Sequence, residues 1–169
     1  PYVDEHKNNL RSKHPEQCDE WITCEHIKTF SSWMETRLRG YNTVCDELYS
    51  LSRRPSLTVL TYKGYKINGN TFYTIAQDQK STNQNNGVRF GAPNERGKDI
   101  YYGYIVDIWE LDYRVDFKVP LFKCKWVNLS GGGVQVDPQY GMTTVDLNNL
   151  GYTDEPFVLA NDVAQVIYV

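Results

Sequence analysis

A chain of 169 residues with 40% apolar and 23% charged side chains can bury one sizeable core, and its overall composition is that of a globular protein rather than a disordered one. No apolar run approaches the ~20 residues of a membrane span, and no signal peptide is visible. The net charge of −3 is unevenly spread: residues 53–98 carry eight basic and two acidic groups, whereas residues 100–169 carry four basic and nine acidic ones. Such asymmetry marks either a nucleic-acid face or two parts of one domain that attract each other. The aromatic share of 14%, with 13 Tyr, favours half-buried pleated surfaces and therefore strands. A chain that opens at Pro1 rather than Met reads as a fragment or processed product.

Residues 1–20 are polar, are interrupted by Pro15 and read as a tail. Residues 21–52 read as a helical segment. Ile27, Phe30, Met34 and Leu38, with Trp33 beside them, predict an amphipathic helix over 25–38, and Gly40 is a suitable stop. Cys45–Ser52 predicts a second short helix before Arg53-Arg54-Pro55.

From Leu57 the period changes, and residues 53–169 read as a β-rich domain. The runs 57–62, 64–67 and 71–75 predict strands, the last two joined at Asn68-Gly69, where both residues tolerate positive φ. Residues 76–86 predict a polar loop, 87–90 a short strand, and 91–99 a Gly/Pro-containing loop. The strongest strands are 101–111 and 117–127. In the second, alternation places Phe122, Cys124 and Trp126 on one face and Lys123 and Lys125 on the other, while Pro120 requires an edge or a bulge. Gly131-Gly132-Gly133 predicts a turn, 140–147 a strand, and 156–160 and 163–169 the closing strands. The predicted fold is α+β, mainly β: a small bent antiparallel sheet or an SH3-like barrel with an N-terminal helical segment.

The chemistry-bearing residues are sparse. Cys18, Cys24 and His26 lack the spacing of common zinc sites, so the four cysteines read as reduced structural thiols and no metal or other cofactor is expected. No Ser or Cys stands in a nucleophile elbow, and the Gly triplet is followed by no Lys-Ser/Thr. Asp107, Glu110, Asp112 and Asp116 cluster in sequence. A metal-dependent nuclease would use Asp107, Glu110 and Asp112, and a solvated strand end is the simpler reading. Lys63, Lys66 and Arg89 interleave with Tyr62, Tyr65 and Tyr73 and are the candidate nucleic-acid-binding residues. Tyr102, Tyr104, Trp109 and Trp126, near Tyr101, are candidate walls of an aromatic cage for a quaternary ammonium, although core filling is the commoner fate of such residues.

Three strings carry a family resemblance. They are Tyr101-Tyr102-Gly103-Tyr104-Ile105-Val106-Asp107-Ile108-Trp109-Glu110-Leu111, then Leu121-Phe122-Lys123-Cys124-Lys125-Trp126, and then Glu155-Pro156-Phe157-Val158-Leu159-Ala160 with Gln165-Val166-Ile167-Tyr168-Val169. With the upstream Tyr62-Lys63-Gly64-Tyr65-Lys66-Ile67-Asn68-Gly69 and Asn83-Gln84-Asn85-Asn86-Gly87-Val88, the chain over 24–169 resembles the plant domain of unknown function 4216. That domain is found toward the C-terminus of CACTA (En/Spm) transposases. Asn161-Asp162-Val163-Ala164 and Asn83-Gln84 depart from its usual pattern. The same strings are similar, at the level of fold alone, to bromo-adjacent homology domains, SH3-like barrels used in chromatin. The resemblance implies a transposon-derived nuclear plant protein and no catalysis in this chain. The expected role is a non-catalytic module that binds DNA, chromatin or another transposase domain, with no membrane or small-molecule partner. The alternative is a protein-interaction or structural domain without nucleic-acid affinity.

Overall fold

The computed structural model describes residues 1–39, 45–80, 82, 84–94, 97–113 and 117–168. Pro1–Leu57 and Asp112–Lys118 form one unit; Thr58–Leu111 and Val119–Val169 form a second.

In the first unit, residues read from sequence as a tail instead form a helix, α1 (Tyr2–Lys13), followed by α2 (Asp19–Leu38) and α3 (Asp46–Ser52). Asp4 and Glu5 in the first turn of α1, and Arg11 and Lys13 in its last, oppose the helix dipole. Its buried residues His6 and Leu10 lie four apart. Glu5 pairs with Arg37 at 2.8 Å and Arg11 with Asp19 at 3.0 Å, tying α1 to α2. The buried face of α2 keeps the expected Phe30, Met34 and Leu38 but not Ile27. Ile27 is 73% exposed, and the stripe that faces inward is Ile22, His26, half-buried Phe30, Met34 and Leu38, spaced by four. Two histidines explain both differences. His6 and His26 are buried with their Nδ1 atoms 2.8 Å apart, and His6 packs on Phe30 and Trp33. They therefore occupy apolar positions although they count as polar in a periodicity. Gly40, the expected helix stop, lies outside the described residues.

That pair makes the helical unit acid-sensitive. One Nδ1 must donate and the other accept, so double protonation breaks the bond. Burial lowers the pKa of both rings from 6.5; His26 and Lys13 lower His6 further, and Lys7 lowers His26 further. The unfolded chain therefore binds protons first, and the stability present above about pH 6.5 falls as pH drops toward the native values. Far-UV circular dichroism of the His6→Phe variant checks this: its helical signal should resist mild acid that melts part of the wild-type signal.

In the second unit the main sheet runs β10-β6-β5-β4-β11, with β1 added to β5 and β9 added to β6. Its strands are β1 (Leu60–Tyr62), β4 (Gly87–Asn94), β5 (Gly97–Asp112), β6 (Lys118–Val127), β9 (Leu150–Gly151), β10 (Phe157–Leu159) and β11 (Val163–Val166). The hairpin β2 (Gly64–Ile67) and β3 (Asn70–Tyr73) turns at Asn68 and Gly69, with φ of 51° and 79°, as the Asn-Gly pair predicts. A second hairpin joins β7 (Val134–Val136) to β8 (Thr143–Val145). The start of the predicted 76–86 loop belongs to a short helix, α4 (Ile75–Asp78).

The fold is α+β with more strand than helix. Of the two expected forms, the open antiparallel sheet is the one present. Among the described residues no closed barrel forms, and β10 and β11 stand at opposite ends of the strand path. The expected 91–99 loop is largely strand, because β4 and β5 stay paired from Gly87↔Tyr104 to Asn94↔Gly97. Pro93 is tolerated there because β11 pairs only with Gly87–Phe90, which leaves the outer half of β4 an edge.

Burial along β6 follows the predicted alternation, with Phe122, Cys124 and Trp126 buried and Lys125 exposed. Along β5 the phase slips. Gly103 and Ile105 face the core, and then Ile108 and Glu110 do. At the slip the Asp107 carboxylate accepts the backbone N–H of Ile108 at 3.0 Å and the indole N–H of Trp109 at 2.7 Å. Here β5 changes partner from β4 to β1, as expected of a bulge that bends a sheet. Phe72, Val88, Ile105, Ile108, Phe122 and Trp126 belong to the resulting core.

Candidate functional site

Lys63, between β1 and β2, Lys66 in β2 and Arg89 in β4 are all exposed. Lys66 rides on the β2–β3 hairpin, Lys63 just precedes it, and Arg89 lies on the main sheet. Arg96, part of the basic segment, lies outside the described residues, as does Asp116.

The other carboxylates are engaged by neighbours. Asp107 holds Ile108 and Trp109 as described. Glu110 is buried and accepts the hydroxyls of Tyr62 at 3.1 Å and Tyr65 at 3.0 Å. Burial and Glu110 together raise the pKa of Tyr65, which keeps it a donor. Asp112 takes the N–H of Ser56 on its backbone carbonyl. Cys18, Cys24 and Cys45 are exposed free thiols and Cys124 a buried one, and among the described residues no three His, Cys, Asp or Glu side chains come together as metal ligands.

The four aromatic residues singled out from the sequence are not all brought together. Trp126 is buried in the core, 6.4 Å from Phe90 and 6.5 Å from Tyr101, ring centre to ring centre. Tyr102 and Tyr104 alternate with core-facing Tyr101 and Gly103 and are half-buried on the opposite face of β5. Trp109 packs instead on Phe157 at 4.7 Å.

A different set of aromatic residues forms a pocket. Phe90 and Tyr101 are register partners on β4 and β5, Trp126 comes from β6, and Tyr152 follows β9. Tyr101 meets Tyr152 edge-on at 5.2 Å and Trp126 edge-on at 6.5 Å. With Ala92, Val158 and Phe157 these rings line a half-open pocket of about 140 Å³, and Glu155 is the charged residue of the lining. That volume is close to the ~150 Å³ engineered apolar cavity that binds benzene. Burial raises the pKa of Tyr101, and Tyr152, Asp99 and Glu155 push it further in the same direction.

Tyr152 is held in an uncommon conformation. Its φ of 56° is left-handed, which a bulky residue adopts only when its surroundings enforce it. Its carbonyl accepts the N–H of Glu155 at 3.3 Å, and its hydroxyl accepts the N–H of Leu129 at 3.4 Å. The strained backbone thus places a ring against Tyr101 and turns the chain so that Glu155 reaches the same pocket. The sequence signal for Phe90 and Tyr101 is weak without the strand register, and for Tyr152 and Glu155 it is absent, because neither lies in a periodic segment.

Residues 109–169 match the family model described as Domain of unknown function (DUF4216). The match includes Trp126, Tyr152 and Glu155 and leaves Phe90 and Tyr101 outside it. No curated protein matches the chain, and no solved structure does.

Proposed function

We propose that the chain is a non-catalytic recognition module whose second unit binds a methylated ammonium side chain in the pocket of Phe90, Tyr101, Trp126 and Tyr152. The observation that carries this reading is the set of five aromatic rings, those four and Phe157, along about 140 Å³ with one carboxylate, Glu155, in the lining. Ring faces attract a cation through their quadrupole, worth ~0.5–2 kcal/mol each as the site is desolvated. A methylated ammonium is the cation that suits such a lining, because it gives up little hydration on burial and presents methyl groups to the rings. Glu155 adds a net negative charge that a neutral ligand of the same shape cannot use.

The resemblance to a domain at the C-terminus of CACTA transposases supports a transposon-derived plant protein acting in the nucleus. A methylated lysine on a chromatin protein is the ligand of this class that such a setting offers.

Titration with a short peptide carrying trimethyl-lysine, against the same peptide carrying its uncharged tert-butyl isostere, tests the reading. The isostere should bind about tenfold more weakly, one to two cation–π contacts' worth. Tyr152→Ala should remove binding of the charged peptide. Equal affinity for the two peptides would eliminate the proposal.

A second reading, DNA binding through Lys63, Lys66 and Arg89, is favoured by the exposure of all three in a basic segment. Salt separates the two: several phosphate contacts weaken steeply as salt rises, while a cation–π site with a single carboxylate changes far less.

A further inference from the structure

Strands β9 and β10 pair with the same edge of β6, β9 at Trp126 and Val127 and β10 at Leu121–Lys123. Residues 152–156 therefore bridge the stretch of that edge at Cys124 and Lys125, pinned where the Cys124 N–H donates to the Pro156 carbonyl at 2.7 Å. This bridge borders two cavities. One is the aromatic pocket; the other, about 440 Å³, is lined by Lys123, Lys125, Tyr152, Thr153 and Pro156 among others. Tyr152 belongs to both.

The two cavities have opposite electrostatic character. Glu155 is the charged side chain of the aromatic pocket, whereas Lys123 and Lys125 are the charged side chains of the larger one. Among the described residues neither lysine takes part in a salt bridge. The Lys123 ammonium instead lies 5.8 Å from the ring centre of Trp109 and 6.0 Å from that of Phe157, held by rings rather than by a carboxylate. Lys123 and Lys125 both line this cavity, and two lysines along one wall suit an anion of phosphate or carboxylate size.

We propose that this larger cavity is an anion subsite for the same peptide that places its methylated ammonium in the aromatic pocket. The inference rests on the function proposed above and names the partner more closely. The ligand is a peptide with a methylated lysine and, a few residues away, a phosphorylated or acidic side chain. A single bridge that borders a negative and a positive cavity would read the spacing between those two charges.

The test uses the full chain and peptides of one neutral scaffold. One carries trimethyl-lysine alone; the others add phosphoserine or glutamate one to four residues from it. At one spacing phosphoserine should tighten binding about tenfold, with glutamate giving less, as a charge-assisted contact to a dianion requires. That gain should vanish in Lys123→Gln/Lys125→Gln, and Lys125→Gln alone, outside the lining of the aromatic pocket, should bind the trimethyl-lysine-only peptide as the wild type does. Equal affinity with and without the anion at every spacing, or a gain that survives the double substitution, would overturn the proposal. If no trimethyl-lysine peptide binds, the aromatic-pocket reading has failed. Inorganic phosphate then tests the cavity separately, through saturable shifts of the Lys123 and Lys125 backbone amide resonances that the double variant loses. Absence of those shifts refutes the subsite. If duplex DNA competes for those shifts and anionic peptides do not, the cavity belongs to a nucleic-acid backbone, and the peptide partner is wrong.

Discussion

Phe122→Ala is expected to destabilise the second unit by ~3–5 kcal/mol, the range for deleting a buried phenylalanine ring. Phe122 has no exposed surface and meets Phe72 ring to ring at 5.0 Å. Phe72 belongs to β3, in a two-stranded hairpin that is not part of the main sheet. A hairpin of that size is marginal by itself, so its order depends on what it touches. Besides the Phe72–Phe122 contact, Gln165 donates to the Thr71 carbonyl at 2.8 Å and Tyr65 donates to Glu110 at 3.0 Å. Tyr65 and Ile67 of the hairpin also pack against the core, but only partly buried, whereas Phe72 is fully buried there. Hydrogen exchange should therefore show the β2–β3 amides losing protection first in the variant, while β4 and β5 amides follow only the global loss. A loss below ~1 kcal/mol, outside the range for such a cavity, would mean that the hairpin does not dock through this ring pair.

Gly103→Ala should be nearly as costly, although it adds only a methyl group. A Cβ at Gly103 would overlap the backbone carbonyl oxygen of Lys125 and come within 2.9 Å of the Trp126 ring at Cε3. A carbonyl on a paired strand cannot swing aside, so β5 and β6 must separate. Overpacking of this kind costs up to about 3 kcal/mol. The Gly103 carbonyl also accepts the hydroxyl of Tyr168 at 2.9 Å, and burial pushes the pKa of that hydroxyl up to about 12, so the bond persists throughout the usual pH range. Displacing β5 would weaken that contact as well. The midpoint of thermal unfolding should fall on the order of 10 °C. Because Trp126 is a wall of the aromatic pocket, binding of a methylated ammonium should weaken in the same variant. An unchanged midpoint would show that the close approach of β5 and β6 at Gly103 is not part of the native state.

Those two residues also show what can be read in the chain before it is folded. The alternation that buries Phe122, Cys124 and Trp126 is visible because β6 keeps one face to the core from Phe122 to Trp126. The Asn68-Gly69 turn is visible because both residues adopt the positive φ that a tight hairpin demands. The strand β5 defeats the same reasoning: the slip at Asp107 changes which side chains face inward, so period-two counting cannot hold across it. Tyr101 faces the core and lines the pocket, while Tyr102, Tyr104 and Trp109, which look equally eligible in sequence, do not line it. Trp126, and Tyr101 beside the expected cage, are the residues shared with the observed pocket.

The rest of the pocket comes from contacts distant in sequence. Phe90 reaches Tyr101 through strand register, and Tyr152 and Glu155 are delivered by a turn whose left-handed residue is not a glycine. In the first unit the missed signal is chemical rather than geometric. His6 and His26 satisfy each other inside an apolar cluster, so residues that score as polar carry the buried stripe and Ile27 is left outside.

The most direct test of the aromatic pocket is a proton–nitrogen correlation spectrum followed through a titration with trimethyl-lysine peptide, reading the indole N–H of Trp126 and Trp109. Trp126 lines the pocket, whereas the Trp109 indole is bonded to Asp107 and its ring is packed on Phe157. The account predicts a saturable shift of the Trp126 signal, a much smaller response from Trp109, and no saturation with the unmethylated peptide. A silent Trp126, or equal responses to methylated and unmethylated peptides, would contradict it.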